Sequence, residues 1–126
     1  MMSSILWVAL GGSLGAVARY GAGLLIKAFY PGGGWPIATL SVNVLGSLGI
    51  GVVFILLERH CVHEAARLVL LVGFLGGFTT FSTFSLELLL MIERGEWVLS
   101  LVYAFASLVS CFAGVYFGAQ FARWLS

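Results

Sequence analysis

In a chain that is otherwise apolar, the residues able to do chemistry are set apart by their spacing. Thr39, Asn43 and Ser47 recur every four residues, which places them on one face of a helix. Ser100, Tyr103, Ser107 and Ser110 step by three, four and three and form a second single stripe. Thr80, Thr83 and Glu87 share a third face. One hydroxyl in a membrane helix often bonds back to its own helix carbonyl. Two aligned stripes carrying an amide and a phenol point instead to a row of hydrogen-bond donors for a small, hard anion. Phe81 and Phe84, three residues apart, add ring edges that carry partial positive charge. Plain packing is the competing reading for that pair.

These residues lie in segments fit for lipid. The 126 residues are 61% hydrophobic and 9% charged, with mean hydropathy +1.11. A helix needs roughly 20 apolar residues to cross about 30 Å of hydrocarbon, so the chain holds four spans and short loops. Charges mark the joints: Glu58, Arg59, Glu64 and Arg67 cluster, as do Glu93, Arg94 and Glu96. The spacing predicts a single all-α membrane domain over 1–126, with helices at 4–29, 37–57, 66–93 and 97–123. A net charge of +1 supplies no basic surface for nucleic acid. No catalytic cluster is visible, which argues against an enzyme. Met1–Trp7 has no Lys or Arg, so the first hydrophobic stretch reads as a retained helix rather than a signal peptide. Cys61 and Cys111 give no disulfide framework, and His60, Cys61 and His63 imitate a metal site only weakly.

Four spans put both termini on one side. Arg59, Arg67 and Arg123 then oppose Lys27 and Arg94, almost no bias under the positive-inside rule. Insertion is therefore expected to be nearly indifferent to direction. Two outcomes stay open: entry both ways with pairing as an antiparallel homodimer, or a single orientation fixed by factors other than charge. Arg19, within the first stretch, reads as a structural or anchoring residue whose stem snorkels toward the interface near Lys27.

Small residues four apart, Gly11 with Gly15, Ser47 with Gly51 and Gly114 with Gly118, mark close helix crossings. The run Gly73–Ser85 differs. It combines adjacent glycines with hydroxyl residues and phenylalanines, and each glycine costs about 1 kcal/mol in a helix interior relative to Ala. A break there is expected, and non-helical backbone at membrane depth is tolerated only inside protein or beside a water-filled cavity. Freed carbonyls suit cations and half-helix N-termini suit anions.

The combination resembles the Fluc (CrcB) family of bacterial fluoride channels along the whole chain. The resemblance is carried by Gly11-Gly12-x-x-Gly15-Ala16-x-x-Arg19-Tyr20, by Thr39-x-x-Val42-Asn43-x-x-Gly46, and by Gly73-Phe74-x-Gly76-Gly77-x-Thr79-Thr80-Phe81-Ser82-Thr83-Phe84. It implies a dual-topology antiparallel homodimer, multi-pass in the bacterial cytoplasmic (inner) membrane, with two fluoride pathways. It further implies a structural sodium ion held at the dimer interface by the backbone carbonyls of Gly76 and Thr79. On the pathway it implies ring edges from Phe81 and Phe84, a hydrogen bond from Asn43, and Ser82 and Thr83 beside them. Thr39, Tyr103 and Ser107 continue it, and Glu87 stands at the position of a vestibule acid. Cys111 occupies a position where a hydroxyl is expected, with Ser110 as a compensating donor. A small hydrated anion crosses lipid only if such donors replace its water at successive weak sites.

Two other classes compete. A proton-coupled small-multidrug-type exporter needs a carboxylate near the middle of its first helix, where this chain has Arg19 and no acid. A non-transporting assembly subunit would explain the glycines and leave the hydroxyl stripes without purpose.

Overall fold

The computed structural model describes residues 1–33, 35–60 and 62–126. Among them there are four helices long and apolar enough to cross a membrane: α1 (Met2–Phe29), α2 (Ile37–Arg59), α3 (Glu64–Glu93) and α4 (Trp97–Leu125). The described residues contain no strand. Hydrocarbon offers the backbone no partners, so each span must satisfy its amides and carbonyls within itself, and helices do so.

Local chemistry sets the joints. Tyr30-Pro31 ends α1, followed by Gly32 at φ 77°, a left-handed conformation glycine adopts freely. Between α3 and α4, Gly95 at φ 78° donates to Ile92 O at 2.9 Å while Glu96 N donates to Met91 O at 2.9 Å. That pair is a Schellman closure. His63 Nδ1 accepts from Ala65 N at 3.2 Å and caps the start of α3. Cys61, from the same loop, lies outside the described residues. Arg59 Nη1 donates to Arg123 O at 3.1 Å and to Ser126 Oγ at 2.8 Å, so the ends of α2 and α4 meet on one side.

The helices pack in two glycine-mediated pairs. Along α1, a Cβ on Gly11 would overlap the Val69 carbonyl and one on Gly15 the Phe74 carbonyl. Between α2 and α4, a Cβ on Gly51 would overlap the Val115 carbonyl, and one on Gly118 the Leu48 carbonyl. All three predicted small-residue pairs thus sit at crossings, Ser47 included, its Cβ lying against Gly114.

α3 is irregular in two ways. Residues Leu68–Leu75 are π-helical, where they lie against the glycines of α1. The break falls inside the expected run Gly73–Ser85, just after the paired glycines. Gly76–Phe78 is helical, whereas Thr79 (φ −79°, ψ 156°) and Thr80 (φ −148°, ψ 117°) are extended. Gly77 serves close approach instead: a Cβ there would come 2.6 Å from Gly12 O. The break divides α3 into a first arm, 64–78, seated on α1, and a second arm, Phe81–Glu93. The second arm is held by a small core of Phe84, Met91 and Tyr103.

Gly51→Ala is expected to destabilise the detergent-solubilised protein by about 1–3 kcal/mol through forced separation of α2 and α4. Gly21→Ala, whose Cβ would meet nothing within 4 Å, is expected to be neutral or slightly stabilising. Thermal unfolding followed by tryptophan fluorescence distinguishes the two.

Candidate ion pathway at the helix break

Breaking a helix in lipid orphans backbone groups, and the surrounding helices supply replacements. Asn43 of α2 uses both ends of its amide on one residue: Oδ1 accepts from Thr80 N at 2.7 Å, and Nδ2 donates to Thr80 O at 2.9 Å. Thr80 Oγ1 accepts from Thr83 N at 3.1 Å, an N-cap for the second arm. It also donates to Thr83 Oγ1 at 3.0 Å and lies 3.4 Å from Ser82 Oγ. From α1, Arg19 Nη1 donates to Thr79 O at 3.1 Å. Arg19 therefore turns inward onto the break, where snorkelling toward Lys27 was expected.

These redirected bonds explain which carbonyls are released. An unbroken helix would pair Thr80 N with Gly76 O and Thr83 N with Thr79 O. Both amides are used elsewhere. Gly76 O and Thr79 O are hard oxygen donors of the kind that unwound membrane helices offer to sodium, so the residues present fit the implied ion. Thr79 O would do so with one lone pair while accepting from Arg19 with the other.

A second cluster joins the sequence stripes. Thr39 Oγ1 of α2 donates to Glu87 Oε1 at 2.6 Å, and the Tyr103 hydroxyl of α4 donates to Glu87 Oε2 at 2.8 Å. Tyr103 is fully buried. Phe84 lies against it, with ring centroids 5.2 Å apart, and Phe81 lies 5.4 Å from Phe84. The two phenylalanines are neighbours, but Phe84 is 6% exposed and Phe81 72%. One is wall and the other surface.

Two cavities flank the break. One of about 620 Å³ is lined by Arg19, Lys27, Thr39, Thr80, Thr83 and Glu87 among others. The other, about 390 Å³, is lined by residues including Asn43, Ser47, Phe81, Phe84, Ser107 and Cys111. Ser107 Oγ is buried and has no hydrogen-bond partner among the described residues, which is costly unless something enters to accept from it. Ser110 donates to Ala106 O at 2.5 Å, so its hydroxyl is spent on its own helix. Ser100 is buried at the far end of the stripe.

The structure thus brings Thr39, Glu87, Phe84 and Tyr103 together, and sets Asn43, Phe81 and Ser107 around one cavity. Thr80 was missed as the hub of the break. Its Thr-x-x-Thr relation to Thr83 was the available signal, since a hydroxyl three residues before a helical amide is an N-cap pattern. Arg19 meets Thr79 across sixty positions, a contact no local pattern reports.

Four membrane-length helices, one of them broken between two cavities that carry polar side chains in a mainly apolar lining, define a small multi-pass membrane protein. Residues 6–119 match the family model described as CrcB-like protein, Camphor Resistance (CrcB), and the chain belongs to that family. It is 48% identical over 122 residues to a Magnetococcus marinus protein named fluoride-specific ion channel FluC, covering 94% of this chain and 97% of that one. An Acidithiobacillus ferrooxidans protein of the same name is 46% identical over 127 residues, covering 100% and 98%. One from Chloroflexus aurantiacus is 41% identical over 124 residues, covering 98% of each.

Asn43→Ala leaves the Thr80 amide and carbonyl without their partner, at about 1–3 kcal/mol for each orphaned group. Hydrogen exchange is expected to accelerate at Thr80 and Thr83 and to stay unchanged where α2 and α4 cross at Gly51.

Proposed function

We propose that the chain is a fluoride-selective ion channel giving passive export of fluoride, built as an antiparallel dual-topology homodimer with two pathways. The names carried by its relatives support the ion. Within the chain, the reading is carried by one juxtaposition. Phe84 packs its ring against both Phe81 and the Tyr103 ring and lines one cavity with Ser107, whose buried hydroxyl has no partner among the described residues.

Fluoride is small and strongly hydrated, so its water must be replaced stepwise by donors weak enough to release it. The larger cavity, with Arg19 and Lys27 in its lining, attracts the anion. Thr39 and Tyr103 hold their hydroxyls toward Glu87 and can turn them to a passing anion, with Thr83 and Ser82 alongside. Beyond, the anion meets the ring edges of Phe81 and Phe84, the second N–H of Asn43, and Ser107. Ser110 supports the end of the stripe once its hydroxyl rotates from the Ala106 carbonyl.

The second arm motivates the dimer. Phe81, Ser82, Thr83 and Ser85 are all exposed on a single protomer at membrane depth. Lipid satisfies hydroxyls poorly, and a second copy would cover them. In that arrangement Gly76 O and Thr79 O of each copy would face a sodium ion, and Arg19 would steady the Thr79 carbonyl. When bound, sodium supplies a fixed positive charge that offsets the cost of an anion in a low-dielectric interior. The bacterial inner membrane is the setting this function requires.

In proteoliposomes loaded with fluoride, efflux is expected to exceed that of protein-free vesicles and to exceed chloride release. Phe81→Ile and Phe84→Ile are expected to slow it at least tenfold while the dimer persists on size exclusion. Wild-type rates in both variants would assign the rings to packing. A reporter fused after Ser126 is expected to be active on both sides of the membrane, and activity on one side alone would refute dual insertion.

A further inference from the structure

We propose that the mouth of the larger cavity is a binding site for an anionic phospholipid, whose phosphate pairs with Lys27 and whose headgroup narrows the way in. Arg19 and Lys27 are the only charged side chains in the first 57 residues. Both line the cavity of about 620 Å³, and eight positions separate them by about 12 Å along α1. Arg19 is engaged at the break, where it donates to Thr79 O. The one ion pair among the described residues joins Arg94 to Glu96, so Lys27 stands at the cavity without a counter-ion.

The setting of Lys27 is that of a lipid headgroup. α1 runs for 28 residues, about 42 Å, enough to bring its last turn, which holds Lys27, to the headgroup region. Tyr30 and Trp35 are exposed and line the same mouth, and tyrosine and tryptophan collect at that level of a bilayer. Apolar surface continues outward from the mouth: Leu24 lines the cavity, and Leu25 and Phe29 are exposed on the same end of α1. The ligand that fits is an amphiphile, with a negative head at Lys27 and its chains along α1. A lysine in a last turn ordinarily only complements the helix dipole. This one borders a cavity of the size that takes organic ligands.

The acids nearby choose the headgroup. Phosphatidylcholine and phosphatidylethanolamine carry a cation beside the phosphate, and the mouth offers that cation no partner. Glu87, the one acid among the described lining residues, has both oxygens engaged by Thr39 and Tyr103. Glu96 is paired with Arg94, and Glu93 lies outside the lining. A singly anionic head such as phosphatidylglycerol meets Lys27 with no second charge to satisfy. Seated there, it covers the cation and repels an approaching anion. That effect on flux rests on the channel reading above. The binding itself does not.

The test titrates the full-length protein in detergent with dioleoyl phosphatidylglycerol or dioleoyl phosphatidylcholine and counts retained lipid by native mass spectrometry. One phosphatidylglycerol per chain is expected to bind about fivefold more tightly than phosphatidylcholine. Lys27→Gln is expected to bring the two lipids to parity, and Lys27→Arg to keep the preference. Equal retention of both lipids by the wild-type chain, or an undiminished preference in Lys27→Gln, would overturn the site. Inorganic phosphate at millimolar concentration is expected to leave the lipid bound, and displacement by it would overturn the lipid in favour of the free ion. In fluoride-loaded vesicles, wild-type efflux is expected to fall about twofold on passing from phosphatidylcholine to an equimolar mixture with phosphatidylglycerol, and to fall less in Lys27→Gln. Vesicle surface charge acts on both proteins alike, so an equal fall in the two would overturn the narrowing of the entry. If no vesicle shows fluoride efflux, the channel reading fails, and the retained lipid still decides whether Lys27 marks a binding site.

Discussion

The two hydrogen bonds between Asn43 and Thr80 hold together a structure that hydrocarbon would otherwise forbid. An extended dipeptide at membrane depth exposes polar backbone, and nothing in lipid can satisfy it. A carboxamide presents one donor and one acceptor side by side, as a peptide group does, so α2 offers the break a substitute for the missing turn. α1 contributes a guanidinium at the Thr79 carbonyl, and Thr80 caps the arm that follows. α4 joins one step removed, through Tyr103 and Glu87. All four helices converge on two extended threonines, and the glycine crossings are what let them come close enough.

That dependence explains how labour is divided in the fold. α1 and the first arm of α3 meet backbone to backbone, as do α2 and α4, because glycine and serine remove the side chains that would keep them apart. The second arm is different: its attachment is a small aromatic and sulfur-containing core plus the hydrogen bonds of Glu87. Hydroxyls and exposed phenylalanine are concentrated there, on an element fixed at one end by the cap at Thr80.

Much of the architecture was legible in the residues. Span positions followed from charge-free stretches, and the small-residue pairs named the crossings. The stripes of Thr39 and Tyr103 did share an environment, because periodicity in a helix is a statement about faces. The run Gly73–Ser85 did contain the break, but glycine content did not say that it would fall on the threonines rather than on Gly76 and Gly77. Low helix propensity is a preference measured in water, and in lipid a backbone bond once made has no competitor, so Gly76 and Gly77 stay helical and serve close packing. The threonines break instead because Asn43 and the Thr80 hydroxyl supply other partners, and Asn43 lies 37 positions away. The π-helical stretch and the inward turn of Arg19 have the same character. Both are set by what α1 and α3 present to one another, and one strand of sequence read locally holds no record of that.

The carboxyl of Glu87, accepting from a hydroxyl on α2 and another on α4, has a consequence for the polar lining at rest. On the proposed channel reading, donors gathered for a mobile guest would, without one, either draw in water or rotate toward their own helices and lose their aim. Here a resident group of the same chemical character stands in for the guest. The lining keeps its shape by solvating part of itself, and on the proposed channel reading an arriving ion would compete for contacts that are already aligned rather than assembling them.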